Sequence, residues 1–249
     1  MKEYTFDELV NIIEELRSEN GCPWDKEQTH DSLRQCMMEE AAELLAAIRI
    51  YNETGNPENM KEELGDILLQ VVMHSVIAKE EDLFTIEDVI SGISEKMIRR
   101  HPHVFGDAKI GTQEQLLQSW EEIKKKEKEG QSWVKSPLRE IPPELPSLTR
   151  GVKVAKKADK LPQYYDNATG KSRIPDILSI SKQLQENASN IVEICENMET
   201  ENMKEQEKEA VFREMSGLLR AVCQLSYRAG LQPEQILFDD IESFIGKVE

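Results

Sequence analysis

The chain has 249 residues, 39% of them hydrophobic, with 48 acidic against 31 basic side chains and a formal net charge of -17. That is enough apolar material for one large domain or two small ones. The acidic balance excludes a general nucleic-acid binder, because phosphate contacts are made mainly by Lys and Arg. No apolar run approaches the roughly 18 residues of a membrane span, and the opening MKEYTFDELV lacks the basic and apolar regions of a signal peptide. A cytoplasmic protein without a membrane partner is the expectation. Cys22, Cys36, Cys195 and Cys223 form no CxxC pair and read as reduced thiols.

Helical punctuation begins at once. Thr5 to Glu8 (TFDE) forms a capping box ahead of an apolar series at Phe6, Leu9, Val10, Ile13 and Leu16, and this first helix stops at ENGCPWD. A second helix is predicted from about Ser32 to Tyr51, with Met37, Leu44, Leu45 and Ile48 on one face. NETGNP ends it. Pro57 suits the first turn of a third helix, whose stripe is Leu64, Ile67, Leu68, Val71 and Val72. Thr85 to Asp88 (TIED) opens a fourth through another capping box. It ends in the basic run RRHPHVFGD, where Pro102 and Gly106 break it. Thr112 with Gln115 caps a fifth, highly charged helix that fades into KKKEKEG.

Residues 131–149 hold four prolines in QSWVKSPLREIPPELPSLT and read as a linker between a unit at 1–130 and a second at 150–249. Beyond it a short basic helix at about 150–160, two longer helices and a final one opened by Pro233 complete the chain. No segment shows sustained strand alternation, so the predicted class is all-α: a helical bundle built of two related units. FREMSGLLRAVCQLSYRAGL (212–231) echoes the apolar pattern of KEELGDILLQVVMHSVIAKEEDL, with Glu214 at the place of Glu63.

The chemistry concentrates in the second and third helices. Glu39, Glu40 and Glu43 stand at i, i+1 and i+4, and Glu63 and Asp66 at i and i+3, so each set converges on its own helix. A short loop makes the two helices antiparallel neighbours, which brings the acids to one edge of their interface. Clustered carboxylates repel unless cations neutralise them. Oxygen-only ligands favour a hard ion, Mg²⁺ or Mn²⁺. The competing reading is a solvated acidic face, in a chain with 32% charged residues. A ferritin-like di-iron site needs ExxH on two helices, and Glu27 to His30, the sole ExxH, lies near a Pro-containing loop.

A local basic exception follows. Lys96, Arg99 and Arg100 share a face near the end of the fourth helix, suited either to the helix dipole or to a polyphosphate. Trp120 reads as a packing anchor or as a platform for a base. His101 and His103 flank a proline and shape the turn.

Taken in order, NGCPWDKEQTHDSL (20–33), EEAAE (39–43), EELGDILLQVV (62–72), RRHPHVF (99–105) and SWEEIKKKEK (119–128) resemble the MazG family of nucleoside triphosphate pyrophosphohydrolases. The resemblance covers about the first 130 residues. It implies an all-α fold, Mg²⁺ dependence with Mn²⁺ as a substitute, a homodimer, and cleavage of an NTP between its α and β phosphates. By motif position it implies Glu40, Glu43, Glu63 and Asp66 as metal ligands, Glu39 and Glu40 as the carboxylates nearest the chemistry, and Lys96, Arg99, Arg100 and Trp120 as substrate contacts. The second half departs from the pattern: Gly217, Ser189 and Gln185 stand where ligands are expected and Glu186 is retained, so residues 150–249 are expected to hold no competent metal site. A pyrophosphatase tuned to dUTP and a non-catalytic helical interaction protein are the rival readings.

Overall fold

Capping boxes start two helices where the sequence places them. Thr5 accepts from the Glu8 amide while the Glu8 carboxylate accepts from the Thr5 amide, and Thr85 and Asp88 do the same. The computed structural model describes residues 2–106, 112, 119–120, 123, 126–127, 137–161, 174–198 and 203–248. The fifth expected helix falls largely outside them, although Ser119, Trp120, Ile123, Lys126 and Glu127 are helical. Among the described residues every regular element is a helix and no strand occurs. The chain divides into two compact units, Met1–Glu129 and Gly130–Glu249.

The first unit contains α1 (Phe6–Arg17), α2 (Pro23–Glu27), α3 (Arg34–Thr54), α4 (Glu58–Glu80), α5 (Ile86–Arg100) and α6 (Pro102–Phe105). Two short helices, α2 and α6, occupy stretches that read as breaks in the sequence. Each opens on a proline, whose fixed φ suits a first helical turn as well as it suits a loop. Gly55 closes α3 in the left-handed region at φ 72°, a conformation open to glycine at little cost. The core joins Ile13 of α1 and Leu33 to Val72, Met73, Val76 and Ile77 of α4, with Phe6, Leu9, Val10, Cys36 and Leu69 packed around them.

The apolar stripe next to the acids behaves differently from the stripe the sequence predicts. Leu45 is 69% exposed and Leu64 is 50% exposed, and Ile48 and Leu68 are exposed as well. Burial in α4 is concentrated from Gln70 onward, where α1 packs on it. At the other end of α4, α3 and α4 pack on each other but leave this apolar edge uncovered by their own unit.

The second unit contains α7 (Ser147–Ala158), α8 (Ile177–Glu196), α9 (Glu205–Ala229) and α10 (Pro233–Val248). α9 is its centre, packed on α8 and α7. From Pro137 the proline-rich stretch is structured: Pro137–Glu140 forms a 3-10 turn, Ile141 is buried, and Glu140 pairs with Lys157. α7 passes so near α9 that a Cβ on Gly151 would lie 2.5 Å from Cys223 Sγ.

The units mirror each other in one charged detail. In the first, Arg17 at the end of α1 pairs with Glu80 at the end of α4. In the second the charges are exchanged: Asp159, just past α7, pairs with Arg228 near the end of α9 at 3.1 Å and accepts from Tyr227 Oη at 2.6 Å.

Candidate metal and phosphate site

α3 and α4 carry the acids because each is amphipathic with carboxylates bordering its apolar stripe, and the turn at Gly55 to Pro57 folds one helix back on the other. Oxygen atoms of Glu40, Glu43 and Glu63 all lie within 4.8 Å of one another, the one such group of three acid, His or Cys side chains among the described residues. Glu63 is only 8% exposed, and the Asn59 amide donates to its Oε1 at 2.7 Å. Asp66 and Glu39 complete the electrostatic neighbourhood. Glu40 binds its proton more tightly than an ordinary carboxylate, first through desolvation and then through the charges of Asp66, Glu43, Glu63 and Glu39. Glu39 itself is exposed and accepts from Gln35 Nε2 at 3.0 Å.

The donor set fits a divalent cation on its own chemistry. It is oxygen-only, it accumulates negative charge that the chain does not neutralise locally, and it keeps a buried carboxylate at its centre. Those are the conditions that select a hard ion over zinc or copper.

The cations gather at the C-terminal end of α5. Arg99 and Arg100 are not solitary there, because both guanidiniums pair with Glu127, at 2.7 Å and 2.6 Å. Hydrogen bonds from Arg100, then from Arg99, hold the Glu127 carboxyl far below its usual range, at about 2. Lys96, one turn earlier, is half-buried. The Trp120 ring lies 5.8 Å from that of His101, which in turn lies 5.7 Å from His103. His101 donates from Nδ1 to the Met97 carbonyl at 2.7 Å, so it caps the turn. The structure thus brings Arg99, Arg100 and Trp120 into one neighbourhood and the five acids into another. Glu127, which sequence reading passes over, joins the first. No periodic signal marks it, since its partners lie 27 and 28 residues earlier.

In the second unit, α8 faces α9 with amides. Gln185, Glu186 and Ser189 are exposed. The residues facing α9 are Asn190, whose Nδ2 donates to Glu214 Oε2 at 3.0 Å, and Asn187, whose Nδ2 lies 2.3 Å from where a Cβ on Gly217 would stand. Asn187 and Asn190 thus meet Glu214 and Gly217 across α8 and α9, two amides beside one carboxylate.

An all-α unit with a carboxylate cluster across a helical hairpin is the class this geometry defines. Residues 28–105, inside the first unit, match the MazG nucleotide pyrophosphohydrolase domain. Over 156 residues the chain is 47% identical to the nucleoside triphosphate pyrophosphohydrolase/pyrophosphatase MazG of Thermotoga maritima, covering 63% of this chain and 57% of that protein. It is 41% identical over 152 residues to the nucleoside triphosphate pyrophosphohydrolase of Escherichia coli K12, covering 61% and 56%. It is 50% identical over 153 residues to YabN of Bacillus subtilis, covering 61% and 30%. The chain thus spans little more than half the length of these relatives, or less.

Proposed function

We propose that the chain hydrolyses nucleoside triphosphates to nucleoside monophosphate and pyrophosphate, with Mg²⁺ held by Glu40, Glu43, Glu63 and Asp66. The observation that carries this reading is the convergence of Glu40, Glu43 and Glu63 oxygens within 4.8 Å around a buried carboxylate, in a chain otherwise too acidic to attract a polyanion. The relatives in Thermotoga maritima and Escherichia coli, named as nucleoside triphosphate pyrophosphohydrolases, support the same reaction.

When bound, the ion neutralises phosphate oxygens and makes a water a stronger nucleophile. The chain supplies the rest. Glu40, Glu43, Glu63 and Asp66 fix the polar end of the site. Glu39, exposed at the edge of the cluster and tied only to Gln35, takes the proton of the attacking water. α5 follows α4 after a short connection and carries Lys96, Arg99 and Arg100 at its C-terminal end. These cations hold the phosphate tail, and Trp120 lies against the base.

Two finer readings accompany the reaction. Leu45, Ile48, Leu64 and Leu68 form an exposed apolar edge that suits burial against a second copy, so the working unit is a homodimer. The amide-substituted second unit is non-catalytic and serves assembly or regulation. No helix among the described residues is long and apolar enough to cross a membrane, and the role proposed for the reaction is clearing of non-canonical nucleotides in the cytoplasm. The test is product analysis on a panel of canonical and damaged NTPs. Formation of NMP and pyrophosphate across several bases supports a clearing role. Turnover confined to dUTP replaces it with a dedicated enzyme, and release of NDP and phosphate contradicts the assigned bond.

A further inference from the structure

One carboxylate holds two guanidiniums at the end of α5. Arg100 donates to Glu127 Oε2 from Nε at 3.0 Å and from Nη2 at 2.6 Å, and Arg99 donates to Oε1 from Nε at 2.9 Å. The Glu127 side chain is 13% exposed, that of Arg100 18%. Both arginines are engaged along the edge formed by Nε and Nη2. A guanidinium has a second bidentate edge, formed by its two Nη atoms, and it matches the spacing of phosphate oxygens. That edge of Arg100 makes no other hydrogen bond among the described residues. The same helical stretch brings Trp120, whose Nε1 is buried without a hydrogen-bond partner among the described residues.

We propose that Glu127 is a positioning residue for substrate: it clamps Arg99 and Arg100 by their Nε edges so that their Nη ends face the polyphosphate, and it ties the Trp120 helix to them. The inference rests on the proposed reaction and on Arg100 as a phosphate contact. Its physical basis is that a long arginine side chain loses rotamer entropy when its guanidinium is fixed on a ligand. A partner that freezes the guanidinium beforehand removes that cost from binding. A Lys cannot replace either arginine here, since a single ammonium has no second edge.

The test uses the full chain with Glu127→Gln, Glu127→Asp and Glu127→Ala, measuring NTP turnover in Mg²⁺, inhibition by inorganic tripolyphosphate, and Mn²⁺ affinity by electron paramagnetic resonance. Glu127→Gln is expected to raise both the KM and the tripolyphosphate inhibition constant about tenfold, a change on the order of one charge-assisted contact. The expected change in kcat is under about threefold, with Mn²⁺ affinity unchanged, and Glu127→Asp is expected to recover part of the loss. In an Arg100→Lys background, Glu127→Gln is expected to add less than it does in the wild type, since the two residues act through one contact. A merely structural Glu127 would lower thermal stability and leave KM and the inhibition constant alone. That result overturns the inference, as does a lower KM in Glu127→Ala, which would make the carboxylate a competitor of phosphate. A wild-type chain with neither turnover nor tripolyphosphate binding overturns the proposed reaction together with this inference; an active wild type with an unaltered Glu127→Gln variant overturns the inference alone.

Discussion

Arg17 and Glu80 join the ends of α1 and α4 through two parallel hydrogen bonds, Nε to Oε1 at 2.9 Å and Nη2 to Oε2 at 2.6 Å. The remaining nitrogen, Nη1, donates to the carbonyls of Asp25 and Gln28, so one buried guanidinium also anchors α2. The pair is asymmetric: the Arg17 side chain is 5% exposed and that of Glu80 44%. Removing Glu80 strands a buried cation, whereas removing Arg17 leaves a carboxylate that water reaches. Glu80→Ala is expected to cost about 3 kcal/mol, and more than Glu80→Gln, which keeps an acceptor. Urea unfolding of the two variants checks the order.

His30 and His74 stack with their Nδ1 atoms 2.8 Å apart, so one ring must donate and the other accept. Burial first, and then the charge of His30, hold the His74 pKa below its ordinary 6.5. The unfolded chain therefore takes up the proton more readily, and stability contributed by the neutral ring is present above about pH 6.5 and lost as pH falls through that value toward the folded pKa. Glu81 lies 3.9 Å from His30 Nε2. Denaturation midpoints measured between pH 8 and pH 5 should fall more steeply for the wild type than for His74→Gln. Parallel slopes would remove the pair from the pH response.

Ile77 is 2% exposed at the centre of the first unit's core. Ile77→Ala leaves a cavity that α1 and α4 cannot close without moving, and the expected loss is about 2–5 kcal/mol. Leu64→Ala, on the exposed edge of the same helix, is expected to cost the isolated fold little. If that edge pairs with a second copy, Leu64→Ala shifts the protein toward monomer in sedimentation equilibrium while Ile77→Ala does not.

A cation that binds the folded acids and not the unfolded chain raises stability by mass action, about 2.7 kcal/mol at a hundredfold excess over its Kd. Mg²⁺ is therefore expected to raise the Tm of the wild type. Glu63→Gln, which removes the buried member of the cluster, should lose that gain. An equal Mg²⁺ shift in both proteins would place the ion elsewhere.

Much of this fold is legible in the sequence because its signals are local. Thr5 with Glu8 and Thr85 with Asp88 mark helix starts within four residues, and Glu40, Glu43, Glu63 and Asp66 share faces by helical spacing alone. What escapes is whatever depends on a partner distant in sequence. The stripe of Leu45, Ile48, Leu64 and Leu68 reads as core, yet periodicity reports an apolar surface and not what covers it. In the second unit the exposed Glu186 takes no part in the contact of α8 with α9 that hydrogen-bonded Asn190 makes, a contact helical spacing does not single out. Packing is set instead by Gly217, whose missing side chain leaves room for Asn187. Glu127 is one of two acids in the lysine-rich KKKEKEG until the fold brings Arg99 and Arg100 to it.

The central claim is that these acids hold the ion for phosphoanhydride hydrolysis. The most direct measurement is pyrophosphate release from an NTP by the wild type and Glu63→Ala, each with Mg²⁺ and with EDTA, alongside circular dichroism of both proteins. Release by the wild type that EDTA abolishes, and its loss in a Glu63→Ala chain of unchanged helicity, is the expected result. An active Glu63→Ala protein, or wild-type release that survives EDTA, would contradict the account.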